Sequence, residues 1–154
     1  YFTKSVDKTR PCIDTSGNFH VVTDIFDIHD YSEPDGIKEH FDGIETGDFG
    51  YNFKDRQKYK KGQPVFVSEY GGIKSFDDNA GWGYGSAPKT EEEFIRRYKD
   101  TTENILNNPN IMGFCYTQLY DIEQEINGLY TYDREPKTDM EKIKYINTAK
   151  APIE

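Results

Sequence analysis

The chain has 154 residues, with 28 acidic against 19 basic side chains and a net charge of −9. No basic run exceeds Lys60-Lys61 in this part of the chain, so the positive face that phosphate neutralisation needs is missing and no nucleic-acid partner is expected. No window approaches the roughly 20 apolar residues of a transmembrane helix, so no membrane partner is expected either.

The length fits one domain and falls short of the roughly 250 residues of a complete (β/α)8 barrel. The sequence begins at Tyr1, with neither an initiator Met nor a charged-then-apolar leader. No signal peptide is therefore read, and a piece of something longer, or a processed product, is expected. Cys12 and Cys115 each sit in an apolar run; two small buried hydrophobes are expected rather than a disulfide or a metal pair. Aromatics reach 15%. Their flat faces and polar edges suit sugar stacking, and equally suit a core.

In chain order, the first strand-like segment is Pro11 to Thr15. The second is Val21 to His29. Only about eight residues, Ser16 to Thr23, separate the first segment from the Asp24-Ile25-Phe26 heart of the second, whereas a parallel crossover usually needs a dozen or more. Either the first segment is not a strand of the sheet, or its helix is missing. Gly36 to Asp42 and Arg56 to Lys61 are both compatible with helices, and Gly43 to Gly50 reads as a loop between them. The third strand is Val65 to Glu69, within Pro64-Val65-Phe66-Val67-Ser68-Glu69-Tyr70-Gly71-Gly72. Its β-branched start predicts a strand buried on both faces, and its Gly-Gly predicts a turn. Phe76 to Pro88 is Gly-rich and aromatic, a loop that follows this strand directly. Thr90-Glu91-Glu92-Glu93 is a capping box. It opens a helix with Phe94, Tyr98, Thr101, Ile105 and Leu106 on one stripe, ended by Asn107-Asn108-Pro109. The fourth strand is Ile111 to Tyr120. A second capping box, Thr138 to Glu141, opens a last helix with Ile143 and Ile146 on one side, closed by Pro152.

Each strand-like segment is apolar first and polar at its C-terminal end: Asp14 and Thr15, His29 to Tyr31, Glu69 and Tyr70, Gln118 to Asp121. Strand ends facing one active-site rim would show that polarity. The candidate acids are Asp14, Asp27, Asp30, Glu69 and Asp121. Retaining glycosidases need two carboxylates about 5.5 Å apart, and only Glu69 sits in a tight strand-to-turn context. Taken alone, Glu69 is equally a strand-end charge or an ion-pair partner. Asp27-Ile28-His29-Asp30 with His20 and His40 matches no specific zinc spacing. No Gly-x-Ser-x-Gly elbow is present, and Gly81-Trp82-Gly83-Tyr84-Gly85 lacks the frame of a nucleotide loop. Trp82 is the lone Trp, a ligand platform or a lid anchor.

These residues resemble the catalytic barrel of glycoside hydrolase family 2, which includes β-galactosidases, β-glucuronidases and β-mannosidases. Val67-Ser68-Glu69-Tyr70-Gly71-Gly72 resembles the family's strand-seven Ser-Glu-Tyr-Gly, whose Glu is the nucleophile. Asn127-Gly128-Leu129-Tyr130-Thr131 with Arg134-Glu135-Pro136-Lys137 resembles the run after strand eight. Thr9-Arg10-Pro11 resembles the lead into strand five. The three fall in the family's order and cover essentially the whole chain.

The resemblance implies an α/β fold: the C-terminal half of a TIM (β/α)8 barrel, strands five to eight with their helices. Residues 1–154 would then be a partial glycosidase barrel domain, without the N-terminal half or the sugar-binding β-sandwich domains. It implies Glu69 as nucleophile. The family's acid/base Glu follows an Asn at the end of strand four, and no Asn-Glu dipeptide occurs here, so an isolated chain inactive on its own is expected. Candidate substrate-binding residues are His29, Tyr31, Tyr70, Trp82, Tyr116, Gln118 and Asp121. Tyr116 falls where relatives often have a Trp that floors the sugar pocket. Glucuronidases carry an Asn-x-Lys before the Gly; its absence at Asn127-Gly128 argues against a uronic-acid substrate. The implied function is a retaining exo-β-glycosidase, β-galactosidase-like, acting on a β-glycoside, with no cofactor and no metal. The rival readings are a non-catalytic carbohydrate-binding or interaction module, and a metal-dependent hydrolase using His29 and Asp30. A half barrel leaves two sheet edges uncovered, so self-association into a homo-oligomer is expected.

Overall fold

Three parallel strands form the layer on which everything else rests: β1 (Phe26–Asp30), β2 (Val65–Gly71) and β3 (Ile111–Thr117), in the order β1-β2-β3. The structure is a computed structural model and describes residues 1–76 and 81–152. Asp77, Asp78, Asn79 and Ala80, which the sequence places in the loop after β2, lie outside the described residues. Four helices accompany the sheet: α1 (Phe2–Val6), α2 (Pro34–Phe41), α3 (Glu91–Leu106) and α4 (Met140–Asn147).

The apolar residues of the strands explain the packing. Val65, Val67 and Tyr70 of β2 are buried with Phe26 and Ile28 of β1, Ile37 and Phe41 of α2, and Ile105 of α3. A second cluster joins α3 to α4 through Phe94, Tyr98, Ile143 and Ile146, with Ile73 and Leu129. Tyr116 packs against both clusters. α2 and α3 cover one face of the sheet. On the other, Phe66 is half-buried and Met112 is 58% exposed. Parallel sheets are normally covered on both faces.

α3 follows its sequence signals closely. Thr90 is the N-cap, and its hydroxyl accepts from the Glu93 N–H at 3.2 Å. Three glutamates in the first turn complement the helix dipole. Phe94, Tyr98, Thr101 and Ile105 are buried along the expected stripe, while Leu106 is only half-buried. α4 starts one residue later than its capping box suggests. Asp139 is the N-cap and accepts from the N–H groups of Glu141 and Lys142. The Thr138 hydroxyl instead donates to Glu91 Oε1 at 2.9 Å. α4 ends at Asn147, before Pro152.

Several expectations are corrected. Pro11–Thr15 is not a strand. Its neighbourhood is tied by side chains: Asp24 accepts from the Cys12 N–H, and Asp14 accepts from the N–H groups of Val21 and Val22. Such local bonds compete with a strand ladder. The short gap after it therefore needs no crossover. β1 begins only at Phe26, and β3 ends at Thr117. Arg56–Lys61 is not helical; the chain turns back on Phe53, whose carbonyl accepts from the Arg56 and Gln57 N–H groups. Cys12 is half-buried and Cys115 exposed, both as free thiols. The described residues form an α/β fold with one three-stranded parallel sheet.

Replacing Thr90 with Ala removes the α3 cap and should cost about 1 kcal/mol of stability. Urea unfolding should show a lowered midpoint at unchanged slope.

Candidate functional site

Strict alternation along β2 would send Val65, Val67 and Glu69 to the same face, and Glu69 into the core. It does not go there, because the register shifts. Ile28 pairs with Val67, but the next residue of β1, His29, pairs with Glu69. Ser68 is the extra residue. A bulge of this kind re-aims side chains, and bulges gather next to active sites. Here Tyr70, only 1% exposed, takes the core position. The Glu69 side chain keeps 35% exposure at the C-terminal end of the central strand.

Two side chains from the end of β1 meet that carboxylate. The Tyr31 hydroxyl donates to Glu69 Oε2. His29 Nδ1 lies 3.3 Å from the same oxygen. Burial, and then the hydrogen bond to Glu69, push the Tyr31 phenol well above its ordinary value. The Tyr31 ring stacks flat on Tyr84, with centroids 3.7 Å apart and planes at 7°. Trp82 meets Tyr84 edge-on at 5.6 Å and is 44% exposed. Gly71 and Gly72 make this possible. Both have positive φ, and a Cβ would overlap Tyr116 at Gly71 and Tyr84 at Gly72.

The aromatic wall is tethered to its surroundings. Tyr84 N–H donates to Gly72 O at 2.8 Å, and Trp82 N–H donates to Gln124 O at 2.8 Å. From α3, Arg97 donates to the carbonyls of Tyr84 and Ser86 and pairs with Glu33 at 3.0 Å. Glu33 in turn accepts from the Ser86 N–H and hydroxyl.

Of the residues predicted to line the rim, His29 and Tyr31 meet Glu69, and Trp82 is linked to them through Tyr84. Tyr70 and Tyr116 do not. Tyr70 donates to Thr102 at 2.8 Å in the helix-facing core, because Thr102 already donates to the Tyr98 carbonyl. Tyr116 packs against Tyr70 and Tyr98, and its hydroxyl accepts from the Ile73 N–H. Burial raises both phenols above their ordinary value. Gln118 is half-buried, and its Nε2 is enclosed without a hydrogen-bond partner among the described residues. Asp121 is buried and holds Lys137 at 2.7 Å, with the Gly128 N–H on the same oxygen. That makes it a staple of the loop after β3.

The other acids are also engaged. Asp14 binds His20 at 2.7 Å besides two backbone N–H groups. Burial alone would raise its carboxyl, but these bonds outweigh it and hold the pKa at about 2. Asp27, 2% exposed, accepts from the Ser68 hydroxyl and the Gly17 N–H, and its other oxygen lies 2.9 Å from His20 Nε2. Asp30 holds His40 Nδ1 at 2.7 Å. Each histidine is thus matched to a carboxylate. Among the described residues no cluster of His, Cys, Asp or Glu is arranged to hold a metal ion. A cleft of about 420 Å³ opens beside the site, walled by His29, Tyr31, His40, Tyr51, Asn52 and Lys54. Sequence reasoning missed Tyr84, Ser68 and Arg97. The Gly-rich aromatic loop signalled Tyr84, but nothing in it told which ring would face Tyr31.

With Glu69 ionised, removing the Tyr31 proton would set two negative charges side by side, so the tyrosine stays neutral well above the usual phenol pKa of about 10. Its tyrosine Cζ resonance should remain phenolic at pH 11. In Glu69→Gln the midpoint should fall towards 10. A midpoint unmoved by that substitution would contradict the contact.

No family model matches the sequence, and no curated protein matches it. Solved structures do. A beta-glucuronidase from an uncultured Clostridium sp. superposes with TM-score 0.60 at 18% identity, over 96% of this chain and 28% of that one. The GH2 beta-galacturonidase from Eisenbergiella tayi bound to galacturonate gives 0.59 at 17% identity, over 96% and 29%. The Faecalibacterium prausnitzii beta-glucuronidase gives 0.51 at 20% identity, over 84% and 22%. The chain spans less than a third of the length of each. Its α/β fold is the fold of one segment of these glycoside hydrolase chains.

Proposed function

We propose that this chain is part of the catalytic domain of a retaining exo-β-glycosidase of family 2, β-galactosidase-like, with Glu69 as nucleophile. The observation that carries this reading is the convergence of the Tyr31 hydroxyl and His29 on Glu69 Oε2, at the C-terminal end of the central parallel strand. The likeness of fold to glycoside hydrolase segments supports it, as does the sequence run Asn127 to Lys137. In this reading the sheet supplies strands of the second half of a (β/α)8 barrel.

In the reaction, Glu69 attacks the anomeric carbon and expels the aglycone oxygen, giving a glycosyl ester that water then cleaves. Tyr31 donates to Oε2 and His29 stands beside it, so Oε1 is the oxygen presented to the sugar. The protonating carboxylate is the family's Glu after Asn, which this sequence does not contain. Trp82 and Tyr84 wall the sugar side. Several of the similar structures are glucuronidases, yet the lysine of the loop after β3, Lys137, has a side chain only 7% exposed and held by Asp121. It is not available to a sugar carboxylate, which favours a neutral glycoside.

A 2,4-dinitrophenyl 2-deoxy-2-fluoro-β-galactoside tests this, because its leaving group departs without a proton donor and the fluorine slows hydrolysis of the ester. Mass spectrometry should find one fluorosugar on Glu69 and none in Glu69→Gln. The chain alone should not turn over an alkyl β-galactoside. Labelling of a different carboxylate, or preferential labelling by the matching glucuronide, would overturn the assignment.

A further inference from the structure

The segment before β1 reaches the proposed nucleophile indirectly, through the far side of the His29 ring. Ser16 Oγ lies 2.9 Å from His29 Nε2, while Nδ1 faces Glu69 Oε2 at 3.3 Å. Gly17, at φ +62°, lies flat against that ring, and a Cβ there would overlap it. The Gly17 N–H is anchored on the buried Asp27 carboxylate at 3.2 Å. The loop cannot shift freely, because Asp14 gathers His20, Val21 and Val22 behind it.

A neutral imidazole carries one proton, and which nitrogen holds it is set by what the other nitrogen meets. A bare Nδ1 lone pair facing a carboxylate oxygen would be repelled. Nδ1 must therefore carry the proton, and Nε2 must accept. Ser16 is the group that can donate there, since a hydroxyl both donates and accepts. We infer that Ser16 is a positioning residue that locks His29 in its Nδ1–H tautomer, so that the ring donates to Glu69 Oε2 beside Tyr31. Its catalytic meaning rests on the reading of Glu69 as nucleophile; the tautomer itself does not. Locking the ring keeps a second donor on the oxygen that does not attack and holds the carboxylate plane for the one that does. No motif of the chain points to Ser16, which lies in an irregular loop.

The test is long-range proton–nitrogen NMR on the chain labelled with 15N-histidine near pH 8, above the ordinary histidine pKa of about 6.5. His29 signals are identified by their loss in His29→Gln. In the native chain Nδ1 should resonate as an N–H nitrogen and Nε2 as an acceptor. In Ser16→Ala the two should move towards the reverse pattern, with His40 unchanged, and Ser16→Thr should restore the native one. Gly17→Ala, which pushes the loop off the ring, should act like Ser16→Ala. A native His29 in the Nε2–H form overturns the inference without any variant, as does a tautomer untouched by both Ser16→Ala and Gly17→Ala. Failure of fluorosugar labelling at Glu69 would instead remove the nucleophile and leave the tautomer standing.

Discussion

One extra residue in the central strand governs the arrangement of this protein. If β2 paired with β1 without interruption, Glu69 would follow Val65 and Val67 into the helix-facing core, where a carboxylate without a cation is very costly. Ser68 absorbs the phase change. The bulge places Glu69 on the rim, and Tyr70 enters the core in its stead. It also sets His29 opposite Glu69, which brings Tyr31 within reach of the same oxygen. Ser68 is itself held, since its hydroxyl donates to the buried Asp27. One inserted residue thus turns a would-be core position into a half-exposed one at the strand end.

The register shift also marks where the sequence could be read and where it could not. The Val-Phe-Val run, the Gly-Gly turn and the Thr90 cap are local signals, and local physics decides them. Glu69, His29 and Tyr31 come together because each sits at or just after a strand end, whereas Trp82 joins them only through Tyr84. Tyr70 and Tyr116 share that position in sequence but lie in the core. A one-residue slip reverses which side a side chain takes, and no residue type announces it. Pro11–Thr15 looked like a strand because its composition is apolar; what dissolved it is the reach of Asp14 and Asp24 across some ten residues of chain. Partners that distant in sequence leave no spacing to detect. Cys115 likewise looked buried from its neighbours, yet it is exposed.

Charge is managed pair by pair. The chain is strongly acidic, yet the carboxylates around the site each have a specific partner: Asp14 has His20, Asp27 has the Ser68 hydroxyl, Asp30 has His40, Asp121 has Lys137, and Glu69 has Tyr31 with His29 beside it. Only Glu69 combines such partners with substantial exposure at a strand end. The other acids are held in place by the same contacts that make them unavailable for chemistry. Buried pairs of this sort fix geometry more dependably than they add stability.

Arg97 gives the site a property that no rim residue could supply. A planar guanidinium can serve several acceptors at once in fixed directions, which an ammonium cannot. From its place on α3, Arg97 spans the Tyr84 and Ser86 carbonyls and Glu33 together. The ring of Tyr84, and with it the stacked Tyr31, is therefore indexed to a helix of the scaffold. The placement of the aromatic wall is a property of the scaffold, not of the loop. Grafting the aromatic loop onto a related scaffold without the arginine would carry over the rings but not their spacing.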